Sequence, residues 1–292
     1  MKGLKYSSFW FVGVFTNKED YAMIIKKKNK RGFSMLARLE LKLKSEEPFV
    51  YQMSSLFHGA LMELLPEDYA DALHESRLHP YAQHLEYRDG DWYWVVNCLN
   101  KEAAKIIIHD TLWNLEHIKI NNRDMDVAIV QKRYAETSYK ELMNQFYEAE
   151  CERYLQVHFI SPTAFKQNGR YLFYPEFRCF FQSLMNKYDS SCREESMIDA
   201  DTLEQLYTNA QIVRYDLKSV SFSLEGVKIP SFIGKITIKM NGTQTMANFA
   251  RMLLEFGTYS GVGIKTSLGM GCMRLIKEKG SNGKKNAVKA SS

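Results

Sequence analysis

The order of hydrophobic periods along the chain restricts its fold more than any other feature. Leu39, Leu41 and Leu43 alternate with Glu40, Lys42 and Lys44, the period of a strand with one buried face. Met53, Leu56, Phe57, Ala60, Leu61, Leu64 and Leu65 then recur at helical spacing. Pro66 with Glu67 and Asp68 opens a second short helix, which carries Leu73 and His74. Leu85 and Tyr87, then Arg88-Asp89-Gly90-Asp91, then Trp92, Trp94 and Val96 read as two strands joined by an Asp-Gly hairpin. Asn100 is placed to cap a helix with Ala104, Ile107, Ile108, Leu112 and Leu115, and a strand around 127–130 closes the set. The same order returns as a strand over 154–160, a helix over 177–188, strands over 212–224 and 233–240, a helix over 246–256 and a strand over 270–276. Strand, helix, strand, strand, helix, strand, twice over, predicts an α+β protein of two tandem ferredoxin-like (βαββαβ) domains with antiparallel sheets. The expected division is an N-terminal domain over 1–134 with a peripheral extension at its start, a charged helical connector over 135–150, a C-terminal domain over 151–278 and a disordered tail over 279–292.

Composition narrows the setting. The net charge of +5 is mildly basic, which suits an anionic partner without specifying one. Cys98, Cys151, Cys179, Cys192 and Cys272 are odd in number and widely spaced, a pattern that argues against a thiolate zinc site or a disulfide framework and for a reducing, cytoplasmic setting. No apolar run is long enough to span a bilayer, so no membrane partner is expected. The short apolar stretch from Phe9 to Phe15 has no small-residue cleavage site behind it. It precedes the basic run from Lys26 to Arg31, so it reads as an extension rather than a signal peptide.

Gly261-Val262-Gly263-Ile264-Lys265-Thr266-Ser267-Leu268-Gly269-Met270-Gly271 carries the chemistry best. Glycines allow positive φ and close approach of the backbone to a ligand. Free N–H groups, Lys265 and the hydroxyls of Thr266 and Ser267 can then cradle a phosphate, and the alternative is a tight loop that only packs. The Walker loop needs Gly-Lys-Ser/Thr contiguous at a helix start and does not fit. This segment, ahead of the last strand of a second ferredoxin-like unit, resembles the RAMP superfamily. Within it the sequence is similar to the CRISPR-associated repeat-processing endoribonucleases. Ser161-Pro162-Thr163-Ala164-Phe165-Lys166 resembles that family's Ser-Pro-Thr-x-Phe segment. Leu73-His74-Glu75 with His79-Pro80-Tyr81 resembles its Leu-His-Glu and basic-Pro-aromatic stretch. The resemblance spans about 35–277, and it departs where some members carry a catalytic tyrosine on the first helix, since Met62 stands there.

The resemblance implies an endoribonuclease that binds CRISPR repeat RNA, single-stranded or hairpin, and cuts the precursor by attack of the RNA's own 2′-hydroxyl, with no metal and no cofactor. Such chemistry needs a group to take the 2′ proton, one to protonate the leaving 5′ oxygen, and donors for the charge on phosphorus. Imidazole suits the proton transfers. His74, on the matched motif, is the first choice for the catalytic histidine, with His58 on the first helix as the second. His58 has an ordinary reading too, as a boundary histidine that packs. Arg77, His79 and the glycine segment (Gly261, Gly263, Lys265, Thr266, Ser267, Gly269, Gly271) are the expected RNA contacts. Trp92 and Trp94 share a strand face and read as core, with Tyr93 on the other face. Three rivals remain: a non-catalytic RAMP-type subunit among the partners of a CRISPR effector complex, a plain RNA-binding module, and a small-molecule enzyme on the same fold. Sequence leaves monomer and homodimer equally open.

Overall fold

The computed structural model describes residues 11–15, 35–148, 151–192 and 199–276. The basic run 26–31 and the tail 279–292 lie outside them. The first half begins with β1 (Phe11–Phe15), β2 (Met35–Lys44), α1 (Ser54–Leu64) and α2 (Glu67–Glu75). It continues through β3 (Tyr81–Arg88) and β4 (Asp91–Cys98) to helix α3, which starts at Lys101–Ala103 and goes on as a π-helix over Ala104–Thr111. Strands β5 (His117–Ile120) and β6 (Met125–Ser138) close it. The sheet order is β1-β6-β2-β4-β3, with β5 also paired to β6. All pairs are antiparallel. The inner four strands have the ferredoxin-like order, first strand central and second at the edge.

The second half repeats the plan. Helix α4 (Tyr139–Glu148) leads to β7 (Tyr154–Thr163), the small hairpin β8 (Phe165–Gln167) and β9 (Arg170–Leu172), and helices α5 (Phe177–Ser191) and α6 (Ala200–Asn209). Then come β10 (Ala210–Leu224), β11 (Val227–Met240), α7 (Gln244–Ser260) and β12 (Met273–Ile276), in a sheet ordered β10-β11-β7-β12. The two tandem ferredoxin-like units therefore stand as the periodicity predicts. Leu39, Leu41 and Leu43 point into one core with Phe57, Leu61 and Trp94, because alternate strand residues share a face. Trp94 is fully buried and Trp92 packs at that core's margin, while Tyr93 faces the other way under Arg88 and Arg133.

Four features differ from the sequence reading. Strand β6 runs on to Ser138, and α4 is no free connector: Tyr139 and Leu142 are buried in the second core. Leu36 and Leu99 of the first half enter that core too, so the halves are packed together. Inside the N-terminal extension, Phe11–Phe15 pairs with β6 and adds an edge strand. Strands β5, β8 and β9 and helix α6 have no counterpart in the predicted order; the strands, of three and four residues, are too short to show a period.

Candidate active site

Helix α1, the end of α2 and the start of β3 bring three imidazoles together. His58 stands one turn into α1, and its Nδ1 lies 2.8 Å from the hydroxyl of Tyr81 on β3. The His58 ring lies 6.3 Å, centroid to centroid, from the rings of both His79 and Tyr81. His79 stands in the turn before β3, 5.6 Å from Tyr81 by the same measure. His74 is exposed in the last turn of α2 and close enough to influence both neighbours. Burial, then His79 and His74, hold the pKa of His58 down at about 4. Burial and His74 likewise push His79 below the usual imidazole value, and its buried Nδ1 has no hydrogen-bond partner among the described residues. His79 is among the expected RNA contacts, and this shift favours its neutral form, which meets phosphate as an N–H donor. Arg77 is exposed in the same turn.

The Tyr81 hydroxyl also touches Sδ of Met62, at 3.9 Å. Burial raises the phenol's pKa, so it keeps its proton. Thioether sulfur is a weak acceptor, so the phenol proton goes to Nδ1 of His58 and the imidazole's own proton sits on Nε2. This phenol reaches the first helix from β3, beside Met62, the position where some members of the resembled family carry a tyrosine.

The glycine segment is drawn inward more than its composition suggests. The N–H groups of Val262, Ile264 and Gly271 donate to Gly271 O, Ala164 O and Pro162 O at 2.8–3.0 Å. Gly263 N–H donates to Ser183 Oγ at 2.8 Å. Gly261, Gly269 and Gly271 are buried with Thr266 and Ser267, whereas Gly263 and Lys265 are half-buried. A Cβ on Gly263 would lie 2.2 Å from Ala164 O and one on Gly269 2.1 Å from Ser54 Cβ, both at positive φ, so these positions require glycine. Lys187 of α5 sits beneath, buried, with Nζ 3.2 Å from both Gly261 O and Thr266 Oγ1. Burial alone lowers its pKa to about 7. The Thr266 oxygen thus accepts from Lys187 in a buried setting, which leaves the hydroxyl's own proton as the donor its sequence reading calls for. Lys265, left-handed at φ 56°, stands at the accessible part of the loop.

The two halves meet in charge as well as in apolar contact. Glu86 on β3 is buried and bonds Arg274 of β12 at 2.6 Å and Arg88 at 3.0 Å. His84 lies between Glu86 and Cys272, with Nε2 at 3.4 Å and 3.1 Å. Burial opposes charge on His84, but Cys272 and Glu86 outweigh it and raise its pKa to about 9. Glu86, opposed by burial too, is held at about 2 by His84 and the two arginines. Among the described residues no three His, Cys, Asp or Glu side chains gather as metal ligands would, and no helix is long and apolar enough to cross a membrane.

Comparison with known proteins decides the family. The CRISPR-associated endoribonuclease Cas6 of Streptococcus thermophilus is 37% identical over 224 residues, covering 76% of this chain and 91% of that protein. The chain belongs to the Cas6 family. The Cas6 of Mycobacterium tuberculosis is 30% identical over 248 residues, covering 82% of this chain and 78% of its own length. The family model described as CRISPR-associated endoribonuclease Cas6 matches residues 157–273, from within β7 to the first residue of β12. A solved Cas6 product complex superposes with a TM-score of 0.69 at 22% identity, covering 83% of this chain and all of that one. Thermus thermophilus Cas6 does so with a TM-score of 0.64 at 20% identity, over 84% of this chain and all of its own. At those identities the superpositions speak for the Cas6 fold alone. Tyr81, Gln83, Lys187 and the His84–Glu86–Arg274 group escaped the sequence reading. Only Tyr81 had a signal, as the aromatic residue of the His-Pro-aromatic stretch.

Proposed function

We propose that this Cas6-family chain binds CRISPR repeat RNA and cleaves it without a metal, by attack of the 2′-hydroxyl on the neighbouring phosphate. The products carry a 2′,3′-cyclic phosphate and a 5′-hydroxyl. The observation that carries the reading is the gathering of His58, His74 and His79 at one end of the first half. His74, exposed at the end of α2 where RNA can reach it, is the main proton-transfer residue. His58 holds its proton on Nε2 because Tyr81 occupies Nδ1, so it serves as a neutral donor to the charge growing on phosphorus rather than as the base. Lys265 and Arg77 contact the RNA backbone as positive charges whatever the base.

Single-turnover cleavage of labelled repeat RNA with EDTA present tests this. His74→Ala should lose roughly a hundred- to ten-thousand-fold in rate, the range of general acid–base catalysis, with binding little changed. A 2′-deoxy substitution before the cut should bind and resist cleavage. A normal His74→Ala beside a dead His58→Ala would move the proton transfer to α1. Cleavage that stops with EDTA would end the metal-free mechanism. RNA bound but left whole by the wild type would favour the non-catalytic subunit.

A further inference from the structure

Gln83 makes three hydrogen bonds that join separate parts of the site. Its side chain lies on β3 and is 1% exposed. Nε2 donates to Ser54 O at 2.8 Å and to Ser267 O at 2.9 Å, and Oε1 accepts from Trp94 Nε1 at 2.9 Å. The orientation of the amide is fixed by its partners: two carbonyls can only accept and an indole N–H can only donate. Ser54 begins α1, and His58 follows one turn later on the same side of the helix. Ser267 belongs to the glycine loop, 184 residues away in sequence. Gly269 of that loop packs against Ser54 so closely that a Cβ there would sit 2.1 Å from Ser54 Cβ. Tyr81, two residues before Gln83 and therefore on the same strand face, holds His58. One strand thus fixes the histidine-bearing helix through Tyr81, and both that helix and the glycine loop through Gln83.

We infer that Gln83 is a positioning residue for cut-site selection: its amide clasps the glycine loop to α1 and so sets which phosphodiester of a loop-held RNA reaches the histidines. The inference rests on the proposed cleavage reading and adds a ruler to it. The loop fixes one phosphate of the strand, the imidazoles act on another, and the clasp fixes the separation between them. A misplacement of about 1 Å between binding and reacting groups is enough to cost a hundredfold in rate, so a loosened clasp shows first in rate and cut position, not in affinity.

The test maps cut positions at single-nucleotide resolution on end-labelled repeat RNA, under single-turnover conditions with saturating protein and well below each variant's melting temperature. Gln83→Met keeps the length of the side chain and removes its donors and acceptor. Gln83→Glu, protonated in this burial, keeps one donor. The Met variant should bind RNA within about threefold of wild type, cut at least tenfold more slowly, and spread its cuts to neighbouring phosphodiesters, with the Glu variant between. Should Gln83→Met fail to fold, Gln83→Glu carries the test. A variant that cuts only at the wild-type position, at a rate within about twofold of it, overturns the clasp and leaves the cleavage reading standing. A rate loss that merely follows the unfolded fraction also overturns it. Wild-type protein that never cuts overturns the cleavage reading and the clasp with it.

Discussion

Tyr81 sets the protonation pattern of the histidine cluster. Its hydroxyl is the partner of His58 Nδ1, and Tyr81→Phe deletes that bond without altering the ring that packs in the first core. The expected cost is about 1 kcal/mol of stability, the usual net value of one hydrogen bond, read from denaturant unfolding. Freed of the phenol, His58 can take either tautomer, so the cleavage rate should fall while RNA affinity holds. An unchanged rate would remove the neutral-donor role from His58. The pH dependence has a definite sign. His58 is depressed from an unfolded value of about 6.5 to about 4 in the fold, so it binds more protons when unfolded. The stability it contributes is complete above about pH 6.5 and is lost as pH falls toward 4. His58→Phe should flatten the melting-temperature profile over that acid window.

The glycine loop separates two kinds of importance within one element. Lys265 is half-buried at the accessible side and makes no side-chain hydrogen bond or ion pair among those described. Lys265→Ala should leave stability unchanged, weaken RNA binding evenly across sequences and reduce the slope of log affinity against log salt by about 1. A changed sequence preference would contradict a backbone contact. Gly263 has the opposite profile. It sits at φ +80° with Ala164 O where a Cβ would go, so Gly263→Ala should cost about 1–3 kcal/mol in stability, measured by thermal or denaturant unfolding. The neighbouring hairpin shows how far local signals reach. Asn168-Gly169 is a strong short hairpin pair, yet the strands it joins, β8 and β9, are three residues each and leave no alternation to read.

Across the whole molecule, the two halves are joined by a buried charge group as well as by shared apolar core. Glu86→Gln should cost about 3 kcal/mol, the low end for breaking a buried pair, because Arg274 is one-third exposed and Arg88 keeps Glu40 at 2.7 Å. The contribution has two pH limits. Glu86, depressed to about 2, loses its share as pH falls below the ordinary carboxylate value of about 4.3. His84, raised to about 9, contributes fully below about 6.5 and loses its share as pH rises through 9. Melting temperatures of wild type and Glu86→Gln should therefore differ most between about pH 4.3 and 6.5, converge in acid, and narrow only in part as pH rises through 9, because Arg274 and Arg88 stay charged. A difference that failed to shrink in acid would mean that Glu86 adds nothing through charge, and one that did not narrow through pH 9 would remove the His84 share.

The element order, the buried face of Leu39, Leu41 and Leu43, the Asp89-Gly90 hairpin and the doubled ferredoxin-like plan were all legible in the sequence. Each records a local demand, the need of one strand or helix face to leave water, and local demands repeat with the period of the element that meets them. Motif likeness likewise reached the family and pointed to His74 and the glycine loop. It could not show that His58 meets His79 and Tyr81, that Thr266 turns inward to Lys187, or that Gln83 joins Ser54 to Ser267. Those meetings are set by strand register and by how one half docks on the other. A glutamine on a strand has the same local pattern whether it clasps a distant loop or faces solvent, so only the tertiary structure decides which.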